Sequence, residues 1–328
     1  MKKLWKQLLC AGLCLCTLCA CGGGGAKPAE SGKPRIVATI FPLYDWTRQI
    51  LGSHAADVDL TLLVGSGADM HSYQPTAEDI VRVSEADLFI YVGGESDEWV
   101  EGALKEAVNK DMRVLNLMEM LGGAVREETL LPGMEAEPEE EEGGVAYDEH
   151  IWLSLKNAFT CCQAIGETLE AMGIVTRRES DLDEYGAKLL ELDARYLQAA
   201  QSAPLKTVLF ADRFPFRYLT DDYGLDAYAA FQGCSAETEA SFETVAFLAA
   251  KLGELNLPAV LTIESGDGKL AETVVRASER PGTPILRMDS MQSATAGEIA
   301  SGAGYLSIME GNLEVLRRAL GGAQAPEE

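Results

Sequence analysis

The sequence predicts an α/β protein of two pseudo-symmetric lobes, each a parallel four-stranded sheet with flanking helices, joined by one long rigid helix. Three observations predict it. Short apolar runs alternate with segments of helical period, the signature of parallel strands covered on both faces. The alternation occurs twice, with four runs each time. Between the two sets, Leu182, Tyr185, Leu189, Leu192 and Tyr196 recur at three- and four-residue steps with no proline before Pro204. At 1.5 Å per residue, a helix over Asp181–Ala200 is about 30 Å long, enough to span a domain. The length of 328 residues and the 47% hydrophobic content suffice for two cores.

The N-terminus is read as processing signal. Lys2, Lys3 and Lys6 precede a short apolar run from Leu8 to Ala20, too short to span a membrane. The run ends in Leu18-Cys19-Ala20-Cys21, which resembles a bacterial lipobox, with cleavage before Cys21 and the lipid on its sulfur. Residues 22–34 are rich in Gly, Pro, Ala and Ser and read as a flexible tether. The expected organisation is a signal peptide over 1–20, a lipidated tether over 21–34, a first lobe over 35–180, a linking helix over 181–203 and a second lobe over 204–328. A net charge of -25 argues against a nucleic-acid partner and suits a soluble protein that attracts cations.

In the first lobe the strands are placed at 35–41, 57–64, 88–92 and 113–117. Pro42 ends the first, and Leu43, Trp46, Ile50 and Leu51 then follow helical spacing. Pro75 and Thr76 start a helix over 77–84, and 99–108 is another. The insert over 135–144 holds Glu135, Glu137 and Glu139 to Glu142 around Pro138, so it reads as a disordered, solvated loop or a weak cation-collecting arm. Helices follow at 158–172 and 181–200. In the second lobe the strands are placed at 207–210, 225–231, 259–263 and 285–288, with helices over 238–255, 270–279 and 306–320.

The chain has only three histidines. His71 lies just past the second strand, after Gly65 and Gly67, at the sheet edge where α/β proteins bind ligands. His150 follows Asp148 and Glu149 and precedes an apolar segment. His54 falls at the opposite edge and reads as a surface residue. Polar residues also follow strand ends in the second lobe: Asp212 and Arg213, Glu237 and Glu239, Glu264 and Asp267. Of eight cysteines, four leave with the signal and Cys21 carries the lipid. Cys161, Cys162 and Cys234 remain, without zinc-finger spacing, and read as buried small side chains.

Taken in order, Ile40-Phe41-Pro42-Leu43-Tyr44-Asp45-Trp46, His71-Ser72-Tyr73-Gln74-Pro75-Thr76, Asp148-Glu149-His150-Ile151-Trp152-Leu153, Tyr223-Gly224-Leu225 and Ala271-Glu272-Thr273-Val274 resemble the lipid-anchored substrate-binding proteins of bacterial ABC importers for zinc and manganese. The resemblance runs from about Arg35 to the C-terminus. It implies a monomeric, extracytoplasmic protein, held to the membrane by its lipid, that grips one divalent metal between two lobes and delivers it to a membrane permease. His71 and His150 match the first two ligands. The third family position carries a His or Glu, and here Asp212 is the nearest carboxylate. The fourth is commonly an Asp, for which Asp267 is the best match. A glutamate-rich insert stands where zinc members often have a His-rich loop. Two His and two carboxylates admit zinc, which is favoured, or manganese. Two other classes are weighed. A secreted zinc-dependent hydrolase would use Glu264 as general base, but no His-Glu-x-x-His motif or nucleophile elbow is present. A surface adhesin would need no closed metal site.

The lipobox reading predicts that Cys21→Ser releases the protein into the medium or leaves the precursor uncut. Membrane fractionation checks this, and normal processing with retention on the membrane refutes it.

Overall fold

A computed structural model describes residues 32–65, 67–135, 146–235 and 239–322. The expected signal peptide, Cys21, most of the tether, Glu237 and residues 136–145 of the acidic insert lie outside the described residues. From Pro34 onward the chain is a single unit.

The first sheet comprises β1 (Arg35–Ala38), β2 (Asp59–Leu62), β3 (Leu88–Tyr91) and β4 (Arg113–Asn116) in the order β2-β1-β3-β4, all parallel. The second comprises β5 (Thr207–Phe214), β6 (Asp226–Gln232), β7 (Val260–Ile263) and β8 (Ile285–Met288) in the order β6-β5-β7-β8, again all parallel. The same order in both halves is the expected pseudo-symmetry. In each, the chain reverses direction across the sheet beside its first strand, the topological point where such sheets bind ligands.

The flanking helices of the first half are α1 (Phe41–Leu51), α2 (Ala77–Ser84), α3 (Trp99–Lys105), α4 (Leu117–Leu121) and α5 (Leu155–Ala171). α6 (Leu182–Ser202) is the long helix, followed by α7 (Arg217–Tyr223), α8 (Phe242–Glu254), α9 (Lys269–Ala277), α10 (Ala296–Ala300) and α11 (Tyr305–Ala319). Pro42 opens α1, since a missing N–H costs nothing in the first turn. α5 starts three residues before the expected Ala158 because the Ser154 hydroxyl caps it, accepting from Asn157 N–H at 3.1 Å. Three short helices, α4, α7 and α10, were not expected. β5 runs past Phe210 to Phe214 through a register shift between Phe210 and Arg213, so Asp212 lies within an irregular strand instead of after one.

α6 packs against α5 and α1 on one side and α11 on the other, and so touches helices from both halves. A single apolar cluster runs from Ile36, Trp46 and Trp152 through Tyr196 to Phe210, Leu261 and Met309. The two sheets therefore share this cluster, and each half adds a smaller one of its own, around Phe89 in the first and Leu209 in the second. Cys161 and Cys162 sit in it, fully buried and unbonded to each other. Hydrogen bonds cross it too: Trp152 Nε1–H donates to the Ser290 carbonyl at 2.8 Å, and the Tyr305 hydroxyl donates to the Trp152 carbonyl at 2.6 Å. Glu135, expected at the start of a disordered insert, is instead pinned. Its N–H donates to the Ala230 carbonyl at 2.9 Å and its carboxylate accepts from Ser241 N–H at 2.6 Å. The latter bond draws a backbone donor left over at the start of α8.

Asp45 on α1 ties the first half to the last helix. Fully buried, it accepts from Tyr305 N–H at 2.8 Å as well as from Arg48 and Gln49. Asp45→Ala strands the Tyr305 N–H and should cost about 2 kcal/mol. Denaturant unfolding would read this as a lower midpoint at unchanged slope.

Candidate metal centre

His71 is placed by a 3-10 turn, Met70–Ser72, that follows β2. The Asp69 carboxylate caps this turn, accepting from His71 N–H at 3.1 Å, and Met70 is buried beneath it. On the imidazole, Nδ1 lies 2.8 Å from Ser96 Oγ and 3.6 Å from the buried Glu149 carboxylate. Ser96 is held in turn, its N–H donating to Glu149 at 2.9 Å. Gly94 has φ +86, and a Cβ there would meet Glu149 at 2.3 Å. The loop after β3 thus needs glycine at this position to bring Ser96 and Glu149 behind His71.

His150 arrives without a strand of its own. Asp148 N–H donates to the Arg126 carbonyl, and the Tyr218 hydroxyl donates to the Asp148 carbonyl at 2.8 Å. One oxygen of Asp148 then accepts both His150 N–H and His150 Nδ1–H, each at 2.8 Å. That bond commits Nδ1 to carrying the proton and leaves Nε2 as a bare donor atom, the arrangement metal-binding histidines use. The ring is fully buried. It lies against Gly233, where a Cβ would come within 2.6 Å of its Cε1.

The two rings converge. His71 Nε2 and His150 Nε2 are 3.1 Å apart. The Gln292 side-chain nitrogen lies 2.7 Å from each, so its two N–H groups donate one to each lone pair. Gln292 is buried and follows β8 at the carboxyl edge of the second sheet. Its turn is strongly specified. Asp289 accepts from Met291 N–H at 2.8 Å, Met291 adopts φ +61, and Ser290 is bound through N–H and hydroxyl to Glu264. The Ser290 hydroxyl also reaches the Gln292 amide oxygen at 2.8 Å. Sequence reasoning missed Gln292 because it searched the edges after β5, β6 and β7 for ionisable groups and did not extend the same rule to an amide after β8.

Of the four expected ligands, His71 and His150 are brought together. Asp212 and Asp267 line a cleft of about 930 Å³ together with His71, but their carboxylates are engaged elsewhere. Asp212 accepts from Arg213 N–H at 2.9 Å and Ile263 N–H at 3.2 Å, because the irregularity in β5 leaves those donors to be satisfied. Asp267 is exposed, accepts from Lys269 N–H at 3.0 Å and pairs with the Lys269 ammonium at 2.5 Å. Arg213 pairs with Asp69 of the first half at 2.6 Å. Among the described residues, two groups of ligand atoms lie mutually within 4.8 Å: His71, His150 and Cys234, and Glu128, Asp148 and His150. Cys234, read from the sequence as a buried small side chain, thus stands beside the histidine pair. His54 is remote from it and pairs with Asp57 at 3.1 Å.

The electrostatics divide the two rings. Burial, and then the neighbouring His150, push the His71 pKa down to about 3. Burial opposes charge on His150 as well, but Asp148, Glu128 and Glu149 outweigh it and hold its pKa above the ordinary value. Burial and the Asp148 charge raise the Glu128 carboxyl to about 7. Asp148 and Glu149 are thus buried behind the two rings, with Glu128 half-buried beside them.

The model of one protein family matches residues 36–319, the family described as zinc-uptake complex component A, periplasmic. The chain belongs to that family. It is 30% identical over 325 residues to the zinc-binding lipoprotein AdcA of Streptococcus pneumoniae, covering 97% of this chain and 61% of that protein. It thus spans about six-tenths of the length of the AdcA relatives it matches. It is also 30% identical over 330 residues to the high-affinity zinc uptake system protein ZnuA of Bacillus subtilis, covering 98% of this chain and 99% of that one. Among solved structures, the Zn(II)-bound ZnuA-like domain of Streptococcus pneumoniae AdcA superposes with a TM-score of 0.67 at 26% identity. The match covers 88% of this chain and 99% of that one. The parallel sheets and flanking helices of this chain are thus the fold of its family.

Asp148 acts on any bound cation through His150. Replacing the carboxylate by an amide, Asp148→Asn, should lower metal affinity by about 10- to 100-fold with the fold retained, the usual cost of losing such a partner. A chelator-competition titration measures it, and parental affinity in the variant would dissociate Asp148 from the site.

Proposed function

We propose that this chain captures one zinc ion between its two sheets and passes it to the permease of an ABC importer, with the zinc as cargo and no chemistry done on it. The observation that carries this reading is the 3.1 Å separation of the two Nε2 atoms. Two imidazoles on a tetrahedral zinc, at bond lengths of about 2.0–2.1 Å, stand about 3.3 Å apart. The rings need to open by only a few tenths of an ångström to accept the ion. Both Nδ1 atoms are already engaged by outer partners, which pre-organises the ligand atoms.

Zinc is preferred to manganese because paired imidazoles suit it better than they suit a metal that takes oxygen ligands. The names of the relatives agree. In this reading residues 1–20 form a signal peptide and Cys21 carries a lipid that holds a monomeric, extracytoplasmic protein at the membrane through the tether over 21–34. Residues 35–180 and 204–328 are its two lobes and 181–203 the helix between them. The word lipoprotein in the AdcA name supports the anchor. A hydrolase fits less well. Its candidate base, Glu264, accepts from Ser290 N–H at 2.7 Å, from Ser290 Oγ and from Ser293 Oγ, and so serves as the strut of the Gln292 turn.

His71→Ala and His150→Ala should each weaken zinc binding by more than about 100-fold, beyond the loss from an outer-partner change. Equilibrium titration against a chromogenic chelator gives the affinity, and circular dichroism shows whether the metal-free fold is kept. Parental zinc affinity in either folded variant removes that residue from the site and the reading with it.

A further inference from the structure

The geometry points to a third ligand that neither the sequence reading nor the family description supplies: Cys234. We infer that zinc is held by His71 Nε2, His150 Nε2 and Cys234 Sγ, with Gln292 closing the fourth position through its amide oxygen. This rests on the zinc-capture reading above and specifies its donor set.

Cys234 lies two residues past β6, at the carboxyl edge of the second sheet, and its sulfur is within 4.8 Å of a ring nitrogen of each histidine. Tetrahedral zinc, with Zn–S about 2.3 Å and Zn–N about 2.0–2.1 Å, needs about 3.6 Å between sulfur and nitrogen. A side-chain rotation or a small approach of the loop supplies the remaining ångström or so. The preceding residue makes the loop's present position possible, because only a glycine at 233 lets the backbone lie against the His150 ring. The competing donors are less well placed. Glu128 groups with His150 but not with His71. Asp212 and Asp267 already hold backbone N–H groups.

The Glu128 carboxylate stands behind the thiol, 3.8 Å from the sulfur, and a dication bound between sulfur and rings would favour the thiolate. The proton leaves to solvent as the Zn–S bond forms.

Gln292 meets the fourth requirement by turning its amide over. Its N–H groups now stand where the cation would be, 2.7 Å from both nitrogens. Rotation by half a turn presents the oxygen instead. The Ser290 hydroxyl can follow, because it can accept from the turned N–H while donating to Glu264. The resulting set has one soft anionic donor, two imidazoles and a neutral oxygen. It selects zinc, cobalt(II) and cadmium over manganese.

Cobalt(II) substitution of the full-length protein tests this. The parent should bind one cobalt and show a thiolate-to-cobalt charge-transfer band in the near ultraviolet. Cys234→Ala and the nearly isosteric Cys234→Ser should lose the band, and zinc affinity should fall by about tenfold or more. Far-ultraviolet circular dichroism establishes that both variants are folded, and the serine variant covers the case in which alanine perturbs the loop. One tight zinc per parent molecule without a band, or parental zinc affinity in a folded Cys234 variant, overturns the assignment of Cys234 and leaves zinc capture standing. A parent that takes up neither zinc nor cobalt overturns both.

Discussion

Two imidazole lone pairs do not face each other at 3.1 Å unless something positive lies between them. In this protein the Gln292 amide fills that place with its two N–H groups, and much of the site can be understood as support for the confrontation. Asp148 fixes His150 from behind by accepting both its backbone and ring N–H. Ser96 and Glu149 do the same for His71. Gly233 lets a backbone close over the His150 ring, and the turn around Met291 aims the amide. The rings are 79 residues apart in sequence, and Gln292 is a further 142 beyond His150. Such an arrangement cannot be assembled locally. It requires both sheets to be in place.

That requirement explains why the halves share one apolar cluster instead of packing as separate bodies. Trp152 and Tyr305 link the strand-like approach to His150 with the Ser290 turn and α11. Polar links at the mouth continue the same joint. Met70 N–H donates to the Gln292 carbonyl at 3.3 Å, and Arg213 pairs with Asp69 at 2.6 Å across the cleft. The ion pair has a second consequence. An unpaired guanidinium at the rim would oppose a cation in the cleft, and Asp69 neutralises it, while also capping the turn that carries His71. One carboxylate therefore joins the lobes, orients a ligand loop and removes a repulsion.

The strand-helix alternation was legible because buried parallel strands must be continuous apolar runs, and the eight runs found in the sequence each hold one of the eight strands among the described residues. The long helix was legible from Leu182 to Tyr196 for the same kind of reason. His71 and His150 stood out because histidine is scarce here and both follow recognisable signals, a strand end and an acidic pair. What remained hidden has physical causes. The irregularity in β5 turns Asp212 onto backbone donors, and no residue pattern marks where a strand will lose its register. Asp267 is drawn to Lys269 two residues on, a local pairing that competes with any distant site. Gln292 was passed over because amides are common at surfaces, and only its burial makes it informative. Cys234 was assigned to the core because its neighbourhood is built from residues 128, 148 and 149, far away in sequence.

The acids of this site stand one layer behind the donor atoms. Asp148 and Glu149 are buried against the backs of the imidazoles, and Glu128 lies near Cys234, its carboxylate 3.8 Å from the sulfur. Placed in the inner layer, carboxylates would enlarge the coordination number and suit the harder ions that take oxygen ligands. Placed behind, they supply negative potential without offering carboxylate oxygen, so on the proposed reading the choice of metal is left to two imidazoles, a thiolate and an amide. Burial behind the rings also raises the Glu128 and Glu149 carboxyls above the ordinary carboxylate range, since it disfavours their charge where no cation faces them. A strongly acidic chain that carries an arginine and an amide at its binding cleft is therefore not ill suited to a cation. On the proposed reading, attraction for the ion is set at longer range by the acids behind the rings, and discrimination at short range by the two rings and what stands between them.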